Sequence, residues 1–165
     1  MIQLYSPAML RKYLSTSGMP PEPEMTATPH FKWIELLINQ KELPGLDVLE
    51  NLLAVAKVLE IYKEKLFYNL PITITSGWRS QTYNEKIGGA KDSQHILGKA
   101  LDFTIKGFSS QRIYDLLDKV HFGGLELAPT WTHMDIRGKV ERFDNNNKIL
   151  ASHYDLYNHN VIFGA

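Results

Sequence analysis

The sequence predicts an α+β fold, in which helices flank a small mixed or antiparallel sheet. Apolar residues recur at helical spacing across residues 46–66, which form the strongest helical segment of the chain. Short segments rich in strand-forming residues follow it, at 71–75, 100–105, 123–127 and 132–137. The chain has 165 residues, so we expect a single domain over residues 1–165.

Helices are predicted for most of the N-terminal part of the chain. Residues 8–15 suit a short helix, and residues 31–39 suit a second one. Between them, residues 18–29 hold four prolines, and proline has no backbone N–H to donate. We therefore predict an extended connector there, followed after Pro44 and Gly45 by the long helix.

Strands and short helices alternate in the remainder of the chain. Residues 79–90 suit a short helix or a turn. Ser109 or Ser110 is predicted to cap a helix that runs to about Val120. The remaining features are two turns and a tail whose pattern is ambiguous, at 128–130, 144–147 and 154–165.

Composition argues against several classes of function. The chain has 18 Lys+Arg against 18 Asp+Glu, so it lacks the basic excess of a nucleic-acid-binding protein. It has no cysteine, so any metal ion must be held by histidines and carboxylates. The first residues resemble no signal peptide, and no apolar run is long enough for a membrane span. We therefore expect that the protein is synthesised in the cytoplasm and does not bind nucleic acid.

Two histidines and one aspartate stand out as candidate metal ligands. Asp102 lies among apolar residues of a predicted strand, where a carboxylate is costly unless it is paired or bound to a metal. His95 precedes it on a loop in which Gly98 permits a tight turn. His133 shares one face of its strand with Asp135. Two imidazoles and a carboxylate form a ligand set that zinc accepts, although the residues alone leave buried structural histidines as an alternative.

The pattern around these residues resembles the zinc D-Ala-D-Ala carboxypeptidase-like metallopeptidases, which share their fold with the hedgehog signalling domain. The family motif Ser-x-His-x-x-Gly-x-Ala-x-Asp is matched by Ser93, His95, Gly98, Ala100 and Asp102. Its later His-x-Asp element and its upstream Ser-Gly-Tyr/Trp-Arg-Ser element are matched by His133 with Asp135 and by residues 76–80. The resemblance is good over residues 70–138. It implies a metallopeptidase core at about 45–140, with extensions at 1–30 and 141–165.

The resemblance also implies the ligands and the reaction. It makes His95, Asp102 and His133 the ligands of a Zn2+ ion whose bound water attacks a peptide bond. The substrate class that it implies is the peptide part of peptidoglycan, cut next to a D-amino acid by a D,D-carboxypeptidase or an endopeptidase of the endolysin kind.

The general base is the point at which this sequence departs from the family. In the best-known members a carboxylate often lies three residues before the last histidine, but that position here is Thr130. Glu126 is the nearest upstream carboxylate, and it can reach the metal if its strand pairs antiparallel with that of His133. A solvated strand residue is the alternative for Glu126. Asp135 is a second candidate base, although we expect it instead to orient a ligand or to bind an arginine.

Four other residues are candidates through their place in the motifs. Arg79 is expected to bind a substrate carboxylate or a developing oxyanion, and the alternative is a surface pair with Glu85. Ser93 is a candidate to bind substrate or to orient the loop of His95. Trp78 and Trp131 are candidates to line the cleft, with ordinary core packing as the alternative.

The remaining histidines show no spacing that indicates a site. His121 follows a predicted helix end, where a positive charge is favoured. His153 and His159 lie in the unmatched tail and are expected to be surface residues.

The sequence therefore predicts a monomeric zinc peptidase acting on peptidoglycan. The lack of a visible signal peptide fits a protein of phage or prophage origin that acts on the cell wall after release. The alternative is a catalytically inactive, zinc-stabilised binding or phage structural module, and the threonine at position 130 keeps it open. A metal-dependent nuclease is disfavoured because it would need more carboxylates and a basic groove.

Overall fold

A computed structural model describes residues 2–38 and 40–164 of the chain. Six helices and five strands form in these residues. The helices are α1 Pro7–Ser17, α2 Trp33–Leu36, α3 Leu46–Lys65, α4 Gln81–Lys86, α5 Ser110–Asp118 and α6 Leu156–Phe163. The strands are β1 Ile72–Ser76, β2 Ala100–Ile105, β3 Gly124–Leu127, β4 Thr132–Asp135 and β5 Glu141–Asp144.

The five strands form one mixed sheet in the order β1-β2-β4-β3-β5. β3 pairs antiparallel with β4 on one side and parallel with β5 on the other. The strand predicted at residues 100–105 is confirmed without a change of bounds, and five of its six residues are buried. The predicted α+β class with a small mixed sheet is therefore confirmed.

Two compact units can be distinguished from the contacts within the chain. The first comprises Met1–Glu60 and Ser76–Leu101. Its core includes the fully buried Trp33, whose indole N–H donates to the carbonyl of Tyr5 at 2.9 Å. The predicted connector at 18–29 is indeed irregular, and Thr26 within it forms isolated β-bridges to Leu4 and Lys32.

The second unit comprises Ile61–Thr75 and Asp102–Ala165. Aromatic rings fill part of its core, and the Phe67 ring packs 6.5 Å from that of Phe103. α5 begins after Ser109, whose hydroxyl accepts from the backbone N–H of Arg112, so the predicted cap is confirmed. The ambiguous tail forms α6. No helix within the described residues combines the length and apolar character that crossing a membrane requires.

The predicted helix at 31–39 is wrong in extent, since α2 has only four residues. Ala27 N–H donates to the carbonyl of Phe31, which holds the preceding chain in extended pairing and delays the helix start. At the other end, the backbone N–H of Trp78 donates to the carbonyl of Leu36, a tertiary bond that competes with continuation of the helix. Asn39, the last residue of the prediction, lies outside the described residues.

Candidate metal centre

A series of tight turns presents His95. Its backbone N–H donates to the Ser93 hydroxyl at 3.3 Å, and its carbonyl accepts from the N–H groups of Gly98 and Arg79. Gly98 has a φ of +71°, and a Cβ there would lie 2.5 Å from the carbonyl oxygen of Val48. Only glycine meets both conditions, which explains its place in the turn.

The His95 ring is buried and oriented by one backbone group. Its Nδ1 lies 2.7 Å from the carbonyl oxygen of Gly77. A carbonyl only accepts hydrogen bonds, so Nδ1 carries the proton in the neutral ring and Nε2 carries the lone pair. This is the arrangement typical of metal-binding histidines, whose second nitrogen donates to a fixed acceptor.

Asp102 and His133 lie on the neighbouring strands β2 and β4. The Oδ1 atom of Asp102 is 2.8 Å from Nδ1 of His133, and both residues are buried. The sheet therefore brings together a carboxylate and an imidazole that are far apart in the sequence.

The opposite nitrogen of the His133 ring faces a second carboxylate. Nε2 of His133 is 3.0 Å from Oδ2 of Asp135, whose side chain is fully buried. Asp135 also accepts from the backbone N–H of Gly124 and from Arg137. It thus lies between His133 and an arginine, and its role in orienting a ligand stays a prediction.

The two carboxylates change the proton affinity of the His133 ring. Burial favours the neutral ring, but the hydrogen bonds to Asp102 and then Asp135 outweigh it and raise the pKa of His133 to about 9. Burial would also raise the pKa of Asp135. Hydrogen bonds from His133 and Arg137 instead hold the pKa of that carboxyl well below its usual range.

The three predicted ligands form one group. His95, Asp102 and His133 each offer one ligand atom, and these atoms all lie within 4.8 Å of one another. Two imidazole nitrogens and one carboxylate oxygen are the donors of a three-ligand catalytic zinc site. Both rings also present their other nitrogen to an acceptor, Gly77 for His95 and Asp135 for His133. The residues present therefore fit a zinc ion.

Glu126 lies directly opposite His133 in the antiparallel pair of β3 and β4. Opposed residues in such a pair have side chains on the same face of the sheet, with Cβ atoms about 5 Å apart. The antiparallel pairing on which the role of Glu126 depends is thus present. Its side chain is half-buried, and its role as a base stays a prediction.

The other candidate residues lie as follows. Arg79 is half-buried, and its Nε donates to the Ser76 hydroxyl at 2.9 Å. Ser93 caps the backbone N–H of His95, which suits the orienting role. Trp78 is buried, with its indole N–H on the carbonyl of Ile96, and Trp131 is half-buried. The functional roles expected of these residues stay predictions.

The expectation for His121 is wrong. Its ring is fully buried, with Nε2 at 2.8 Å from the carbonyl oxygen of Asp135 and Nδ1 at 3.0 Å from the hydroxyl of Tyr62. Burial lowers the pKa of His121 to about 4, so the ring is neutral rather than a cation at the helix end.

A buried arginine that the sequence did not indicate, Arg142, holds residues 121–123 in place. Nη1 of Arg142 donates to the carbonyl of Gly123 at 2.7 Å, and Nη2 donates to that of His121 at 2.8 Å. Its Nε pairs with Asp118 at 2.5 Å, and the Asp118 carboxylate also contacts the ring of His153. His153 is exposed, as expected, but it is ion-paired when protonated.

Comparison with known proteins identifies the segment that carries this group. A family model described as Peptidase M15 matches residues 29–135, which is more than half of the chain. The matched span includes all three members of the His-Asp-His group. Among curated proteins, none matches the chain closely enough to count as a relative.

Proposed function

Because the chain belongs to the Peptidase M15 family, we propose that it is a zinc-dependent peptidase that hydrolyses peptidoglycan peptides next to D-amino acids. The observation that carries the proposal is the group of His95, Asp102 and His133, each buried and each offering one ligand atom. The family supports a zinc metallopeptidase in general. The cell-wall substrate is the finer part of the proposal, and it rests on the resemblance described from the sequence.

In this proposal the metal is held by Nε2 of His95, a carboxylate oxygen of Asp102 and Nδ1 of His133. The choice of nitrogens follows from their partners, because Nδ1 of His95 faces the Gly77 carbonyl and Nε2 of His133 faces Asp135. When bound, zinc supplies Lewis-acid chemistry, since it polarises a carbonyl and lowers the pKa of water.

Glu126 is the proposed general base. Its position opposite His133 supports this role, because the strand register directs its carboxylate to the face that carries the histidine. Glu126 takes the proton of the attacking water and later delivers it to the leaving amine. Thr130 stands where the best-known members of the family often have their base, so this chain needs a carboxylate from another position.

Arg79 is the proposed anion-binding residue. Its Nε donates a hydrogen bond to the Ser76 hydroxyl, which restrains the guanidinium group. The backbone N–H of Arg79 donates to the His95 carbonyl at 3.2 Å. The position of the arginine is thereby linked to that of a ligand. The planar fork of arginine suits the substrate carboxylate or the negative charge of the tetrahedral intermediate.

The experiment that tests the proposal is digestion of purified peptidoglycan by the purified protein. One arm is loaded with zinc, one is treated with a chelator, and one is reloaded with zinc afterwards. We expect new peptide termini, identified by mass spectrometry, in the first and third arms only. A zinc-loaded protein that releases no termini would contradict the proposal and favour a zinc-stabilised binding or structural module.

Glu126→Gln tests the base within the same assay. We expect kcat to fall by about 10²–10⁴-fold, the usual contribution of a general base, with zinc content unchanged. Glu64→Gln is the matched control, because Glu64 is an exposed glutamate on α3 that pairs with Lys65. Full activity of the Glu126 variant would remove that residue from the mechanism.

A peptidoglycan substrate places the proposed action at the cell wall, whereas the phage origin and the monomeric state rest on the sequence alone. We propose a monomer of phage or prophage origin that acts on the cell wall after release from the cell that made it.

The sizes and termini of the peptides released in the digestion assay also separate a carboxypeptidase from an endopeptidase, since only the former frees a single terminal residue.

A further inference from the structure

The carboxylate of Asp135 is surrounded by hydrogen-bond donors. Oδ1 accepts from the backbone N–H groups of Gly124 and Arg137 at 3.0 and 3.1 Å. Oδ2 faces Nε2 of His133 at 3.0 Å. A buried carboxylate with donors at both oxygens is fixed in orientation, and it offers acceptors only.

Arg137 supplies most of these donors. Its Nε lies 2.8 Å from Oδ1 and 2.9 Å from Oδ2 of Asp135, and its Nη2 lies 2.5 Å from Oδ2. This bidentate contact uses the planar fork that distinguishes arginine from lysine. It leaves the Asp135 carboxylate little freedom to rotate away from His133.

The guanidinium group is itself held on two other sides. Its Nη1 pairs with Glu141 on β5, and its central carbon lies 5.3 Å from the ring centre of Phe143. The His133 ring packs against the same phenylalanine, at 6.0 Å between ring centres. Glu141 and Phe143 of β5 therefore hold Arg137 in contact with Asp135.

Gly124 provides the space in which these groups meet. A Cβ atom at Gly124 would lie 2.6 Å from Nε of Arg137, and it would overlap the Asp135 carboxylate even more closely. Any side chain there would displace the arginine, the carboxylate or both. The glycine is required by this contact rather than by its backbone angles.

We infer that Arg137 is a positioning residue for the metal ligand His133, acting through Asp135. Arg137 holds the Asp135 carboxylate against Nε2 of His133, and a carboxylate only accepts hydrogen bonds. Nε2 must therefore carry a proton, and the ring is oriented with Nδ1 toward Asp102. The inference rests on the proposed function for the identity of the metal. It adds a residue outside the matched segment, which ends at residue 135.

The test compares zinc binding by wild type, Arg137→Gln, Arg137→Lys and the control Arg112→Gln. Arg112 is a suitable control because its guanidinium carbon also lies over a phenylalanine, 4.1 Å from the ring centre of Phe108. Zinc affinity is measured by competition with a chelator. NMR of the ring nitrogens, in protein with labelled histidine, reports the His133 tautomer in the zinc-loaded state.

We expect Arg137→Gln to weaken zinc binding by about 10–100-fold, the usual cost of losing a group that orients a ligand. Lysine cannot reproduce the fork, so Arg137→Lys should restore only part of the affinity. The His133 nitrogen signals should shift in both variants. The control should keep its affinity within about twofold of wild type, because Arg112 is exposed and lies over Phe108 rather than against Asp135.

Unchanged affinity and unchanged His133 signals in Arg137→Gln would overturn the inference. Should that variant fail to fold, Glu141→Gln loosens the same guanidinium without touching Asp135, and it should weaken zinc binding in the same direction. His133→Ala in the same assay separates the two proposals. If His133→Ala binds zinc normally, the proposed zinc site is wrong. If His133→Ala loses zinc while Arg137→Gln binds it normally, only the positioning role of Arg137 is overturned.

Discussion

Two buried histidines contact the same residue and differ in almost every other respect. His133 faces the Asp135 carboxylate through one nitrogen and Asp102 through the other. His121 faces the Asp135 carbonyl and the Tyr62 hydroxyl. The pKa of His133 is raised to about 9, and that of His121 is lowered to about 4. Burial is shared, so the charge of the partners decides what each ring can do.

The comparison shows why burial alone does not identify a metal ligand. The Nε2 of His121 faces a carbonyl and therefore donates, while its Nδ1 accepts from Tyr62. Both nitrogens of His121 thus form hydrogen bonds to uncharged groups, and these bonds attach residue 121 to β4 and to Tyr62. His133 instead has a carboxylate on each side. Asp102 belongs to the His-Asp-His group that could hold a metal ion, and Asp135 contacts the opposite nitrogen of the ring.

Alanine at each position should separate the two roles most sharply. We expect His133→Ala to lose both bound zinc and peptide hydrolysis, because one of three ligands is gone. His121→Ala should still bind zinc but should unfold more easily, since it leaves a cavity and the Asp135 carbonyl without its donor. Metal content by elemental analysis, activity and urea unfolding check both statements. Hydrolysis by a His133 variant shown to be free of zinc would refute the mechanism.

The metal-free protein should show opposite pH responses from the two rings. An unfolded histidine binds a proton below pH 6.5, whereas folded His121 does so only near pH 4, so stability falls as the pH drops across this range. Folded His133 keeps its proton up to about pH 9, so its contribution is present below pH 6.5 and is lost as the pH rises to 9. The free energy of unfolding of the metal-free protein should therefore be highest near pH 6.5 and fall on either side.

Urea unfolding across this pH range, with a chelator present, checks the prediction. His121→Gln should flatten the acidic arm alone. In a separate zinc-loaded sample without chelator, the alkaline arm should disappear, because the metal replaces the proton on His133. An acidic arm that persists unchanged in His121→Gln would assign it to other groups.

The smallest expected effect concerns the hydroxyl that supports His121. Tyr62→Phe removes the donor to Nδ1, which should cost about 1 kcal/mol of stability and lower Tm by about 2–4 °C. Zinc affinity should not change. Tyr68→Phe is the matched control, because Tyr68 is 75% exposed. A loss of zinc affinity in the Tyr62 variant would show that the two histidines are coupled more tightly than their partners indicate.

Local sequence patterns were sufficient for much of the fold. The strand-forming residues at 100–105, the serine cap before α5 and the long apolar periodicity of α3 each reflect interactions between near neighbours. The sequence also raised antiparallel pairing of the strands of Glu126 and His133 as a condition for the role of Glu126, and the structure contains that pairing.

Features that depend on tertiary contacts could not be predicted in the same way. Nothing local distinguishes His121 from a surface histidine after a helix, because its burial comes from Tyr62 and β4. The shortness of α2 depends on a backbone bond between Leu36 and Trp78. Arg142 lies in a segment for which the sequence predicted no strand, and only the fold surrounds it with backbone carbonyls.

Arg142 has a practical consequence for anyone who prepares shortened versions of this protein. It lies beyond residue 135, the end of the family match, yet its guanidinium binds the carbonyls of Gly123 and His121 inside the matched span. A fragment trimmed to the matched boundaries would lose those donors together with the whole of β5, and the edge of β3 would be exposed. Expression boundaries should therefore be drawn after residue 144 at the earliest.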